Sequence, residues 1–274
     1  MELAIANRSL TAPVNWNFPI ELQELRTAPG GVVSAKTRAL VRTDSNEILA
    51  TVSTRYKPIL YSEVIDQART FTSAFGAPTE RVFLSNNGAV MCAEYTYMDK
   101  SFAVAKGEVV GLRVYISNSY NTSSAVTVRI GCLVLSCSNG MVASNDVFSY
   151  SWRHSKGTVI TFPEPKELLG AYTALSHTID DYSTTSLSSD QFLPALVEMT
   201  PVLGSVSAMN VEEQISKLGA GATVWDFMQA STYEITHRNK AGYVYKLNKL
   251  SKVDAIMARV YNREYGESDV PRPH

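Results

Sequence analysis

Two arginines and a tyrosine lie at alternating positions of two neighbouring stretches, a spacing that suits the binding of single-stranded nucleic acid. Alternate residues of a β-strand lie on the same face. Arg113, Tyr115 and Ser117 would therefore share one face, and Arg129 would share a face with Thr127 in the stretch that follows. Cations neutralise phosphates, and aromatic rings stack on unpaired bases. The same pattern is also typical of the solvent-exposed face of an ordinary antiparallel sheet, so both interpretations stay open.

The opposite faces of these two strands are apolar. The alternating apolar residues of the first strand are Leu112, Val114 and Ile116. Those of the second strand are Val126, Val128 and Ile130. Apolar sets of this kind pack against helices. We therefore expect Arg113, Tyr115 and Arg129 to be exposed to solvent.

A second group of cations lies nearer the N-terminus, in a predicted hairpin. Two alternating runs flank Thr43-Asp44-Ser45-Asn46, which has the composition of a turn. Lys36, Arg38 and Arg42 share one face of the first run with Leu40. The three cations Lys36, Arg38 and Arg42 are therefore also predicted to bind nucleic acid.

The polar loop Asn118–Ser124 connects the predicted strands of Arg113 and Arg129. Its hydroxyl and amide groups, including those of Asn118 and Tyr120, could bind phosphates or a neighbouring subunit without adding charge. An ordinary hairpin loop explains the composition equally well. After the second strand, Asn139-Gly140 is a strong turn signal.

The last predicted helix, Tyr245–Tyr265, has an apolar stripe that includes Leu247, Leu250 and Val253. Lys249 and Lys252 lie beside this stripe. They would form a basic rim for DNA or for a neighbouring subunit, or they would be the solvated flank of a docked amphipathic helix.

Charge is segregated along the chain although the formal net charge is only -1. Residues 176–236 contain eight acids and one lysine, whereas residues 237–263 contain seven Lys and Arg and one Asp. The net charge excludes a globally basic nucleic-acid binder but allows a local basic face. The asymmetry indicates a nucleic-acid or subunit contact, or two segments that pack against each other.

These groups must be positioned by an α+β fold, with an antiparallel sheet of four to six strands and helices packed on one face. Besides the hairpin, strands are predicted around Arg81–Leu84, Ala89–Met98, Val109–Ser117 and Ala125–Ser136. Helices are predicted at residues 61–76, 165–182, 189–199, 211–218 and 245–265. The predicted organisation is an N-terminal arm at residues 1–31, an α+β core at residues 32–182, and a helical region at residues 183–274 packed on the core or on a neighbouring subunit.

No catalytic or cofactor-binding constellation is recognisable in the sequence. The four histidines show no metal-ligand spacing, and neither a phosphate-binding loop nor a nucleophile elbow is present. Cys92, Cys132 and Cys137 have the apolar surroundings of buried, reduced thiols in a cytosolic protein. No run reaches the roughly 18 apolar residues of a membrane helix. We therefore expect a cytoplasmic protein that is not an enzyme, with no metal, cofactor or membrane partner.

Three stretches together resemble a family common in phages and plasmids, the domain of unknown function family DUF932: ILATVSTRYKPILYSEV, GLRVYISNSYNTSSAVTVRIGCLVLSCSNGM and ATVWDFMQASTYEITHRN. The resemblance extends from about Val33 to Tyr265. Its most specific part is Asn118-Ser119-Tyr120, followed by a strand and Cys137-Ser138-Asn139-Gly140. Asn121-Thr122 stands where family members often carry Asp-Gly. The resemblance implies phage origin but no established chemistry.

The predicted order of elements also resembles single-strand annealing proteins of the Rad-fifty-two type. A helix ending in Phe75-Gly76 precedes antiparallel strands and a long helix. Such proteins form rings or filaments that hold single-stranded DNA in a basic groove, and this analogy concerns topology alone. It implies an ATP-independent, homo-oligomeric protein of phage recombination that binds and anneals single-stranded DNA in the host cytoplasm. A phage exonuclease or a host single-strand-binding protein is the further expected partner.

Two other functions fit the sequence. The acidic segment at residues 176–236 favours an interaction protein that antagonises a host defence system by occupying basic sites. A structural virion component is the other alternative.

Overall fold

The computed structural model describes residues 15–26, 29–104, 107–135, 140–142 and 148–264. The protein is α+β, as predicted, with two antiparallel sheets and six α-helices in this part of the chain. The smaller sheet has the order β1-β2-β3, with strands Ile20–Arg26, Val33–Arg42 and Glu47–Ser53. Strands β2 and β3 are the predicted hairpin, whereas β1 lies within the region predicted as an arm.

The larger sheet has six strands, and its central strands lie in the hydrophobic core together with side chains from all six helices. Its strands are β4 Thr79–Ser85, β5 Val90–Ala103, β6 Val109–Ser119, β7 Val126–Val134, β8 Gly140–Val142 and β9 Ser149–Trp152. Strands β4 to β7 follow one another as antiparallel neighbours, and β7 also pairs with both β8 and β9. The strands β4 to β7 confirm the sequence prediction. The short strands β8 and β9 were not predicted.

The helices are α1 Tyr61–Ser73, α2 Pro165–Thr184, α3 Ser189–Leu203, α4 Ser205–Leu218, α5 Val224–Tyr233 and α6 Tyr243–Glu264. All but α5 were predicted, although α4 begins six residues before its predicted start at residue 211. Local chemistry explains where several begin: Pro165 occupies the first turn of α2, and the hydroxyls of Ser188 and Thr223 cap α3 and α5. Helix α5 has only ten residues and is buried on most of its surface, so it lacks the amphipathic pattern that identifies a helix.

Helices pack on both faces of the larger sheet, whereas the sequence predicted helices on one face. On one side, the Tyr97 hydroxyl of β5 donates a hydrogen bond to the Thr72 carbonyl of α1 at 2.7 Å. On the other side, Nη1 of Arg129 in β7 donates to Asn248 of α6 at 2.7 Å. The face that the sequence marks as polar is therefore covered by α6, which binds its polar groups.

Candidate nucleic-acid interface

The predicted cationic face of the larger sheet is buried. The exposed fractions of Arg113 and Tyr115 are 9% and 2%. Nη1 of Arg113 lies 3.2 Å from a carboxylate oxygen of Glu94, and its Nε donates to Thr96 Oγ1 at 3.1 Å. The Tyr243 hydroxyl of α6 donates to the same carboxylate. The expected exposure of Arg113 and Tyr115 is wrong, because α6 and Glu94 occupy the space that solvent was expected to fill.

The pKa shifts on this face follow from burial. Burial raises the pKa values of the Tyr115 and Tyr243 hydroxyls, so both stay protonated. Burial lowers the pKa of Arg113, but Tyr115 and Glu94 raise it and the net shift is upward. Burial lowers the pKa of Arg129, whose Nε finds no hydrogen-bond partner among the described residues. Arg129 is half-buried rather than exposed.

Displacement of α6 from the sheet, which would expose this face to solvent, would cost a large part of the folding free energy. Five apolar side chains of α6 are no more than 5% exposed: Leu247, Leu250, Val253, Ile256 and Met257. At ~1.5–3 kcal/mol for each buried side chain, their exposure would cost about 7–15 kcal/mol. That range matches the whole stability of a typical domain, roughly 5–15 kcal/mol. Opening this face therefore amounts to unfolding.

The polar loop residues singled out by the sequence are also buried. Asn118 is fully buried, and its amide donates to the Ile59 carbonyl at 2.9 Å. The Tyr120 hydroxyl accepts the Tyr61 backbone N–H at 2.9 Å, and the two rings stack with centroids 3.9 Å apart. These side chains connect the β6–β7 loop to the start of α1, so they do not present the solvent-facing donors that the sequence prediction required.

Arg42 differs from its two neighbours in the hairpin. Its guanidinium makes two hydrogen bonds to Asp44, at 2.7 and 3.0 Å, and lies 4.0 Å from the ring centroid of Phe18. Lys36 and Arg38 are exposed, as the hairpin prediction requires. On α6, Lys252 is exposed, whereas Lys249 is half-buried with its ammonium 5.2 Å from the ring centroid of Tyr245.

Lys36 and Arg38 belong to one of three segments that contact one another, and the other two segments carry four cations that strand periodicity did not predict. Six exposed cations of three neighbouring segments form what we call the basic surface: Lys36, Arg38, Arg55, Lys57, Arg153 and Lys156. The segments are residues 33–38, 53–60 and 149–162, and none of them contains Asp or Glu. The basic surface therefore carries a positive charge that its own segments do not neutralise.

Backbone and ring contacts connect the three segments. The Thr54 N–H donates to the Lys36 carbonyl at 3.1 Å. The Ile59 N–H donates to Nδ1 of His154 at 3.1 Å, and the rings of Tyr56 and His154 stack. The cations next to Tyr56 in sequence are thereby brought close to the cations next to His154.

The Tyr56–His154 pair itself carries no charge at neutral pH. Burial lowers the pKa of His154 to about 4, and burial raises the pKa of the Tyr56 hydroxyl. Because Nδ1 of His154 accepts a hydrogen bond, the ring proton lies on Nε2. The positive charge of this region therefore comes from the lysines and arginines.

A sequence signal for the missed cations does exist. Arg55-Tyr56-Lys57 and Arg153-His154-Ser155-Lys156 both place an aromatic ring between two cations, with no acid inside either run. Neither run alternates over the length of a strand, so face periodicity does not detect them. Their proximity arises only in the fold, because about a hundred residues separate them.

The acidic and basic segments of the C-terminal half pack against each other, which was one of the two predicted explanations. Helix α3 packs on α6, and Arg259 binds Glu198 across this contact at 3.0 Å. Arg238 binds Glu234 at 3.2 Å at the start of the basic segment.

The cysteines whose positions are described are buried free thiols, as predicted. They are Cys92 and Cys132, and burial raises both pKa values. Cys137 and Asn139 lie outside the described residues. Within the described ranges, no group of three or more His, Cys, Asp or Glu side chains is placed to hold a metal ion. In the same ranges, every helix is too short or too polar to cross a membrane.

The fold and the basic surface together define an α+β protein with an exposed candidate site for anionic polymers. Residues 48–257 match the family model described as Domain of unknown function (DUF932), and the chain belongs to this family. The predicted family membership is thus confirmed. No curated protein and no solved structure matches the chain, so the topological resemblance to annealing proteins is not confirmed.

Proposed function

We propose that the protein binds single-stranded DNA through the basic surface and anneals complementary strands, without ATP and as a homo-oligomer. The observation that carries this proposal is the concentration of six exposed cations, without an acid, in three segments that contact one another. Cations arranged in this way neutralise phosphates whatever the base sequence. The location of the proposed site differs from the one that strand periodicity indicated.

The proposed mechanism is capture of the phosphate backbone, which leaves most bases free to pair. Aromatic rings offer stacking surfaces in the same segments: Tyr56 with His154, and Tyr150 with Trp152 on β9 at a centroid distance of 6.3 Å. All four side chains are half-buried, so each is held in place while part of its surface remains accessible. Stacking on such rings tolerates any base.

The biological setting of this proposal is phage recombination in the host cytoplasm. In that setting a phage exonuclease would produce the single-stranded DNA. A host single-strand-binding protein would compete for this DNA or transfer it to the protein.

Fluorescence anisotropy of a labelled single-stranded oligonucleotide across a salt series tests the proposal. If each cation of the basic surface neutralises one phosphate, the slope of log K against log salt is about -4, at about -0.7 per phosphate for a single strand. A duplex of the same length serves as the comparison and binds more weakly. Absence of binding at low salt, or an affinity that does not change with salt, would contradict the proposal.

The second candidate function is that of an interaction protein, including an antagonist of host defence. Four aliphatic side chains on α3 and α4 favour it, with exposed fractions of 53% to 74%: Leu193, Val197, Val206 and Met209. Clustered exposed apolar side chains mark contacts with other proteins. A Val197→Lys variant that loses a host partner in a pull-down but keeps oligonucleotide binding would support this candidate.

A further inference from the structure

A cavity of about 200 Å³ opens within the basic surface, between the segments of Tyr56 and His154. Its lining includes Lys57 and Ile59, Ser155 and Val159, and the exposed side chains of Glu63 and Gln67 on α1. Its volume is below the ~300–1,000 Å³ of pockets for drug-sized ligands, so it suits a group the size of one ring system. We propose that it holds one unpaired nucleobase of the bound strand and that Glu63 selects guanine. This inference rests on the proposed function.

The walls of the cavity suit a flat ring. Pro58, Ile59 and Ile160 contribute apolar surface, and Val159, at 74% exposed, adds a methyl-rich edge at the mouth. An aliphatic side chain left so exposed gains contact area when a base enters. Lys57 lines the cavity and Lys156 follows the lining residue Ser155 directly, so cations are available for the phosphates on either side of the base.

Glu63 belongs to the capping box that begins α1, and the same residue lines the cavity. It lies within the cationic region, where a carboxylate repels the DNA backbone. One of its oxygens accepts the Leu60 N–H at 3.4 Å, and an ionised carboxylate has acceptor capacity beyond one such bond. Single-stranded bases expose their Watson–Crick edges, where guanine presents two adjacent donors, N1–H and the N2 amine.

Guanine matches this carboxylate better than the other bases do. Cytosine and adenine place a ring acceptor beside their amine, and thymine places carbonyls on both sides of its single N–H. Gln67 lies four residues after Glu63, on the same face of α1, and its amide can donate to O6 of guanine. Glu63 and Gln67 together present the acceptor and the donor that the guanine edge requires.

The test compares labelled oligothymidylate with the same strand carrying isolated deoxyguanosines, by anisotropy at one salt concentration. The measured quantity is the ratio of the two affinities, since the removal of any acid raises binding to both strands. The wild-type protein is expected to prefer the guanine-bearing strand by about fivefold or more. Glu63→Gln is expected to reduce the ratio to about twofold or less, because the amide cannot accept from both guanine donors.

Two variants complete the experiment. Glutamine is accepted in the capping position of Glu63, so Glu63→Gln is expected to fold. Asp66→Asn is the matched control, because it removes one exposed carboxylate of α1 that does not line the cavity, and its ratio should equal that of the wild type. Gln67→Leu, like Glu63→Gln, should reduce the ratio of the affinities for the guanine-bearing strand and oligothymidylate.

The outcomes separate this inference from the function on which it rests. Equal affinity of the wild type for both strands, or a preference that persists in Glu63→Gln, would overturn the guanine site and leave the DNA-binding proposal standing. Failure of the wild type to bind either strand would overturn both. A preference that disappears in Glu63→Gln and remains in Asp66→Asn would support the site.

Discussion

The rings of Tyr56 and His154 stack with centroids 5.2 Å apart and planes 15° from parallel. The same histidine accepts the backbone N–H of Ile59. Through these two contacts, one side chain fixes the segment of Arg55 and Lys57 against the segment of Arg153 and Lys156. The charge density of the basic surface therefore depends on a neutral, half-buried imidazole.

Replacement of His154 tests this dependence. His154→Phe keeps a ring for stacking but leaves the Ile59 N–H without its acceptor, so we expect a loss of about 1–3 kcal/mol in the free energy of unfolding. Urea unfolding measures the loss. His177→Phe is the matched control, because His177 is exposed on α2 and its replacement should change stability by no more than ~0.5 kcal/mol. Equal stability of both variants would show that the hydrogen bond is not needed.

The depressed pKa of His154 gives a pH dependence with a definite sign. The unfolded chain takes up a proton near the ordinary pKa of 6.5, whereas the folded protein does so only near a pKa of about 4. The unfolded state therefore binds more protons between these values, and the free energy of unfolding decreases as the pH falls from about 6.5 to about 4.

The comparison of wild type with His154→Phe isolates this contribution, since all other groups titrate in both proteins. The stability advantage of the wild type should shrink across that window and level off below it. An advantage that does not change with pH would contradict the assignment of His154 as a buried neutral side chain.

Strand alternation identified the polar and apolar faces of β6 and β7 correctly, but it did not reveal what covers each face. The Tyr243 hydroxyl that binds Glu94 comes from 149 residues further along the chain. Periodicity within a short stretch of sequence does not predict a contact between residues so far apart in the chain. Helix α6 was predicted with its apolar stripe, but the hydrogen bonds to the polar sheet face come from Tyr243 and Asn248, which are not stripe residues. Periodicity identifies each surface but not the surface on which it packs.

The buried pair of Glu94 and Arg113 should matter for stability and not for DNA binding. Arg113→Ala leaves a buried carboxylate without its cation, so we expect a loss of about 3–5 kcal/mol in the free energy of unfolding. Arg259→Ala breaks the more exposed pair with Glu198 and should cost no more than about 1 kcal/mol. Denaturant unfolding compares the two. A small cost for Arg113→Ala, together with lost oligonucleotide affinity, would restore the predicted role of this face in DNA binding.

Tyr243 provides a second measure of how firmly α6 is held. Tyr243→Phe keeps the ring stacked on Phe83, at a centroid distance of 4.1 Å, and removes only the hydroxyl that donates to Glu94. A hydrogen bond to a charged group contributes about 1.5–3 kcal/mol, and the free energy of unfolding should fall by that amount. Tyr245→Phe is the control, because Tyr245 is 54% exposed on the same helix. Equal stability of the two variants would mean that the buried hydroxyl does not hold α6 in place.

The most direct test of the central claim compares two charge reversals with the same change in net charge. Lys57→Glu/Lys156→Glu alters the basic surface, whereas Lys249→Glu/Lys252→Glu alters the rim of α6, and far-UV circular dichroism verifies that both variants fold. Anisotropy with one labelled single-stranded oligonucleotide at one salt concentration gives the affinities. We predict a loss of about tenfold or more for the first variant and about threefold or less for the second, because phosphate contacts dominate affinity and distant charges are screened. Equal losses, or a larger loss for the α6 variant, would contradict the assignment of single-stranded DNA binding to the basic surface.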